Sequence, residues 1–203
     1  MNNKLKLFIA VFVSVFIFMA LFAMKANESS FPWYISRASG IVSYIFLFLI
    51  MVSGAMITTK TMYRFLSPPT AWTFHQYLGI TLSVSIITHI ISLLFDNFLK
   101  FSIIELLVPF TSRFAGNYVA LGIIGLYLFL AVIISSLFYK MKIPKIWRLL
   151  HYLPYPIFIL IFIHGISIGS DTQSPVMQIM YWSTGYVMIA VALYRIFYKP
   201  IEE

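Results

Sequence analysis

Six runs of about twenty apolar residues decide what this chain can fold into. They lie at about Leu7–Met24, Ala38–Thr59, Thr73–Phe95, Asn117–Tyr139, Leu149–Gly169 and Val176–Tyr198. Each has the length an α-helix needs to cross a hydrocarbon core about 30 Å thick. Lys, Arg, Trp and Tyr gather at their ends, as expected of residues that anchor in the headgroups. The expected fold is therefore an all-α membrane protein, a bundle of six transmembrane helices forming one domain over residues 1–203. Composition agrees, since 61% of the residues are hydrophobic and only 10% charged. Soluble domains carry roughly 25% charged residues, and a water-soluble fold of this chain would leave large apolar patches bare.

The first run follows Lys4 and Lys6, as a signal peptide would. It is long for such a segment and no small-x-small cleavage site follows, so it is read as a retained extra helix over about residues 7–24.

The net charge of +8 raises the question of nucleic acid. Its distribution answers otherwise. Lys4, Lys6, Lys60, Arg64, Lys140, Lys142, Lys145, Arg148, Arg195 and Lys199, ten of the fourteen basic residues, fall on one side of the six-helix arrangement. By the positive-inside rule that side, with both termini, is cytoplasmic. The expected location is the cell membrane, multi-pass, with lipid as a partner and no nucleic acid.

Between the third and fourth runs, Phe98–Gly116 is apolar but interrupted by Lys100, Glu105, Pro109 and Arg113. A short helix in the outer interface, packed as a loop or closing over an outer-facing site, is the expectation there. The absence of cysteine rules out disulfides, thiolate metal sites, Fe–S clusters and covalent c-type haem.

The chemistry rests on four histidines, all within two runs: His75 and His89 in the third, His151 and His164 in the fifth. Ionisable residues inside spans are costly and point to function. The pairs are separated by fourteen and thirteen residues, a rise of roughly 20 Å in each helix. Both runs start on the cytoplasmic side. His75 and His151 are thus expected near the inner face, and His89 and His164 near the outer one. Imidazoles at two matched depths suit two b-type haems stacked across the bilayer, with the histidines binding haem iron. Zinc fits less well, because neither depth offers a carboxylate or thiolate to complete the site.

Helical phase supports one pair and strains the other. Fourteen residues return to within about 40° of the starting face, whereas thirteen miss by about 140°. Pro154 and Pro156 lie between His151 and His164, where a distortion would have to close that gap. Arg148, three residues before His151, and Arg37, with Arg113 behind it, are candidates to meet haem propionates. Gly79 and Gly165 are candidate points of close approach to a porphyrin, and Gly165-x-x-x-Gly169 is a candidate packing face.

The histidine quartet, the stretch GIIGLYLFLAVIISSLFYK followed by IWRLLHYLPYPIFILIFIH, and the Arg37-Ala-Ser-Gly40 segment resemble the ferric reductase-like transmembrane domain. That domain is shared by ferric reductases and NADPH oxidases, and the likeness covers about residues 33–198. The chain is also similar in size to the haem subunit of the bacterial methionine-sulfoxide reductase system, from which its full quartet leans away. The resemblance implies His75 with His151 at an inner haem b and His89 with His164 at an outer one. It also implies electron transfer across the membrane to an outer acceptor such as ferric iron, in an oxidoreductase or an electron-transfer subunit. No intrinsic FAD or NADPH domain is expected. A separate donor is therefore expected: a flavoprotein bringing its own flavin, a quinol or a diffusible reductant. One alternative is a haem subunit relaying quinol or flavin electrons to a partner reductase. An alternative of another class is a small proton-coupled transporter that uses the same histidines.

Overall fold

The computed structural model describes residues 30–140 and 144–197, so the first apolar run, Leu7–Met24, lies outside the described residues. Seven α-helices follow in order: α1 Phe31–Thr58, α2 Pro68–Leu94, α3 Ile103–Leu107, α4 Gly116–Lys140, α5 Pro144–Leu150, α6 Pro154–Ile168 and α7 Pro175–Phe197. No strand occurs among the described residues. Five segments are long and apolar enough to cross a membrane: Phe31–Thr58, Pro68–Leu94, Gly116–Ser136, Lys145–Ile168 and Pro175–Arg195. They answer to the second through sixth runs of the sequence, and this is a membrane protein.

Proline sets where the helices begin. α1, α2, α5, α6 and α7 each carry one in the first two positions, where its missing N–H costs nothing and its fixed φ favours the helical turn. For that reason α1 starts at Phe31, seven residues ahead of the hydropathy boundary. Apolar side chains such as Leu49, Ile133, Ile159 and Ile189 stay more than a third exposed. In lipid such faces need no cover.

The chain divides into two compact bodies. The first holds α1, a 3-10 turn at Thr61–Arg64, α2 and α7 from Trp182 onward. Its centre is the antiparallel pair α1 and α2. Gly40 faces His89, Ile50 faces Gly79 and Gly54 faces His75. Each step along α1 is matched by an equal step back along α2, so the register is constant over four turns. Midway, the Ser43 hydroxyl donates to Ser85 Oγ at 3.0 Å. The fully buried Tyr44 ties α7 in through its hydroxyl, 2.6 Å from Thr184 Oγ1.

The second body holds Phe101–Tyr181. Here α4 packs antiparallel on α6, with Gly122 against His164 and Gly125 against Ile161. The short α3 lies in the region expected to form an interfacial helix. It is closed by a capping box: Glu105 N–H donates to Ser102 Oγ, and Ser102 N–H donates to the Glu105 carboxylate. The residues that interrupt the apolar run there are a structural clasp. Buried Glu105 takes Arg113 Nε–H at 2.9 Å, Arg113 Nη2–H at 3.2 Å and the Arg113 backbone N–H at 3.1 Å.

Candidate haem-ligand site

The lone pair of an imidazole is free to bind a metal at one nitrogen when the other nitrogen carries the proton and donates it. In the first body, His89 Nδ1 lies 2.7 Å from the Ser36 carbonyl oxygen of α1. In the second, His164 Nδ1 lies 2.8 Å from the Tyr118 carbonyl oxygen of α4. A carbonyl can only accept, so both rings donate from Nδ1–H, and in a neutral imidazole that tautomer has its lone pair on Nε2.

Both contacts are built the same way. His89 rests on Gly40, where an added Cβ would stand 3.1 Å from its Cε1 and Nδ1. His164 rests on Gly122, where a Cβ would stand 2.7 Å from Cε1 and 2.8 Å from Nδ1. Each glycine lies four residues after the accepting carbonyl, Ser36 before Gly40 and Tyr118 before Gly122. A helical Cβ leans toward the N-terminus, over the carbonyl one turn back. Its absence here opens that oxygen to a ring from the neighbouring helix. Glycine therefore acts twice, giving room for the imidazole and uncovering its acceptor.

His75 uses a variant of this arrangement. It lies over Gly54, whose added Cβ would be 3.2 Å from Cε1. Its Nδ1 partner is the Ser53 hydroxyl at 2.9 Å, and that hydroxyl donates to the Ile50 carbonyl at 2.8 Å. Ile50 stands four residues before Gly54, so the same carbonyl position is reached through a hydroxyl. The single Ser53 proton goes to Ile50, which leaves its oxygen to accept from His75 Nδ1–H. Three histidines are thereby anchored at Nδ1 on a neighbouring helix.

His151 sits at a break in its helix. α5 ends at Leu150 and α6 starts at Pro154. Pro154 and Pro156 have no N–H for the carbonyls of Leu150 and Tyr152. Those oxygens instead take Leu153 N–H at 3.1 Å and Tyr155 N–H at 3.2 Å, while Leu149 takes Tyr152 N–H at 3.2 Å. Bonds of this i→i−3 kind wind the chain about 120° per residue rather than 100°. Some four to six such steps reduce the mismatch of about 140° to about 60° or less. The two prolines thus close most of the phase gap. The His151 ring stacks on Trp147 with centroids 4.8 Å apart.

The other sequence candidates fall as follows. Arg37 directly follows Ser36, the residue that holds His89, and its guanidinium lies 4.0 Å from the Trp33 ring centroid. Arg148 is exposed on the last turn of α5, three residues before His151. Arg113 is committed to Glu105 rather than to a propionate. Gly79 faces Ile50 and serves the contact between α1 and α2. Gly165 meets the Tyr181 ring, and Gly169 caps α6 beyond its end, so the two do not form one packing face.

Gly40, Gly54, Gly122 and Ser53 were not recognised from sequence as site residues. One signal was there: Gly40 and Gly54 are fourteen residues apart, as are His75 and His89. Among the described residues no three His, Cys, Asp or Glu side chains gather into a metal site. Half-buried imidazoles held at Nδ1 suit ligation of iron by histidine, and this donor set fits haem.

Comparison with known families agrees. The model for the ferric reductase like transmembrane component matches residues 39–162. This chain belongs to that family. The matched segment holds Gly40, Ser53, Gly54, His75, His89, Gly122 and His151, and stops two residues short of His164. No curated protein and no solved structure matches the chain.

Proposed function

We propose that this ferric reductase-like membrane protein moves electrons across the cell membrane through two b-type haems. His75 and His151 would hold one, and His89 and His164 the other. The observation that carries the reading is the shared anchorage: three histidines of the quartet are held at Nδ1 by a neighbouring helix. A histidine meant to relay protons gains nothing from having one nitrogen locked. A histidine meant to ligate iron gains orientation and basicity.

When bound, each haem supplies a one-electron ferric–ferrous couple. What this chain supplies is ligation, burial and spacing. α2 sets its two imidazoles about 21 Å apart along its axis, about two thirds of the roughly 30 Å hydrocarbon thickness an electron must cross. Arg37 and Arg148 offer positive charge beside His89 and His151 for propionates. Electrons enter from a cytoplasmic or membrane donor and leave at the His89–His164 end, with ferric iron the acceptor that the family's description suggests.

The test is an optical spectrum of the detergent-solubilised protein, oxidised and dithionite-reduced, with haem quantified per chain. Two low-spin b haems are the expected result. Folded protein that takes up no haem when made with ample supply would overturn the reading and favour the transporter.

A further inference from the structure

The three described imidazole contacts differ in one atom. At His89 and His164 the Nδ1–H donates to a backbone carbonyl, whereas at His75 the Ser53 hydroxyl stands between ring and carbonyl. We propose that Ser53 is a positioning residue that sets the strength of the His75 ligand, so that the His75 haem and the His89 haem differ in potential. This rests on the haem reading given above.

The physical reason is the acceptor. An Nδ1–H that donates to a strong acceptor makes its imidazole more basic at Nε2, which favours ferric over ferrous iron. A hydroxyl oxygen is a weaker acceptor than an amide carbonyl. Ser53 gains back part of the difference by passing its own proton to Ile50 O, since hydrogen bonds in a chain polarise one another. The hydroxyl also fixes the ring. Without it the Nδ1–H faces the α1 backbone across the gap the side chain leaves. Nothing comparable is open to adjustment at the other two sites, where a main-chain oxygen does the work and the glycine admits no side chain.

The experiment is a reductive titration of wild type, Ser53→Ala, Ser53→Thr and Gly40→Ala, with haem content and the low-spin ferric EPR signals followed in parallel. In Ser53→Ala one of two midpoints rises and its EPR signal shifts, while the other midpoint stays in place. Ser53→Thr restores the wild-type value, because it keeps the hydroxyl. Gly40→Ala disturbs the midpoint that Ser53→Ala leaves alone. If Ser53→Ala loses one haem and Ser53→Thr keeps both, the hydroxyl holds His75 and the proposal stands. Unmoved midpoints in a Ser53→Ala protein carrying both haems would overturn it, as would equal damage by Ala and Thr. Failure of wild type to bind haem at all would instead be the failure of the function proposed above.

Discussion

The two bodies place two histidines along a helix in different ways. In the first, α1 and α2 are uninterrupted, their register is constant, and His75 and His89 share a face because fourteen residues are close to four whole turns. In the second, thirteen residues separate His151 from His164, and the helix has to be overwound at Tyr152–Tyr155 to bring them toward one side. The lesson is that spacing alone does not place a ligand. An in-phase spacing needs only a straight helix, while an out-of-phase one needs a built distortion, and here two prolines build it.

The largest effect should come from removing that distortion. Replacing Pro154 and Pro156 together by Ala restores both N–H groups and lets α5 and α6 join as one α-helix, leaving His151 about 140° out of phase with His164. Haem per chain is expected to fall from two toward one, with the loss confined to the His75–His151 centre. Retention of both haems with unchanged spectra would mean that the overwound turn has no part in placing His151.

Next come the glycines. A Cβ at Gly122 would stand 2.7 Å from the ring of His164, against 3.1 Å at Gly40 and 3.2 Å at Gly54. These rings are held at Nδ1 and cannot swing aside without losing a hydrogen bond. Overpacking of this kind costs about 1–3 kcal/mol. Haem retention and thermal stability should fall in the order Gly122→Ala, Gly40→Ala, Gly54→Ala. An inverted order would break the idea that the second body is the less tolerant of the two.

A smaller effect concerns the loop of the second body. The Arg113 side chain, followed by the backbone amides of Ser102 and Arg113, holds the Glu105 carboxyl below the usual carboxylate range. Its folded value lies below its unfolded one of about 4.3, so its contribution is fully present above that pH and lost as pH falls toward the lower value. Limited proteolysis between Ile103 and Arg113 should therefore stay slow from neutral pH to about pH 5. In Glu105→Gln it should be several-fold faster even at pH 7. Equal cleavage of the two proteins at pH 7 would show that the clasp does not hold this segment.

The smallest effect belongs to the first body. Tyr44→Phe removes the hydroxyl bond to Thr184 and leaves the packing intact. Interhelical hydrogen bonds in membranes average about 0.6 kcal/mol, so a melting shift of a degree or two with both haems kept is expected. Loss of a haem would reveal a tighter link between α7 and the ligand helices than the contact suggests.

Much of this protein was legible in its sequence. Apolar runs the length of a bilayer gave the second through sixth spans, because lipid leaves a chain no other way to satisfy its backbone than a helix or a closed barrel. The interruption at Lys100–Arg113 gave the short helix, and the four histidines gave the candidate ligands, because a costly group inside a span has to be doing something. Even the strain in the His151–His164 phase was visible, with the prolines that relieve it. The atoms that hold the imidazoles were decided only by tertiary structure. Ser36 and Tyr118 contribute through their main-chain oxygens, and side-chain identity carries no mark of which carbonyl a neighbouring helix will reach. Gly40, Gly54 and Gly122 could be seen as glycines but not as acceptor sites until α2 and α6 lay against them. Hydropathy counts one helix at a time, whereas a hydrogen bond between helices depends on which faces meet, and that is settled by packing across dozens of residues of chain.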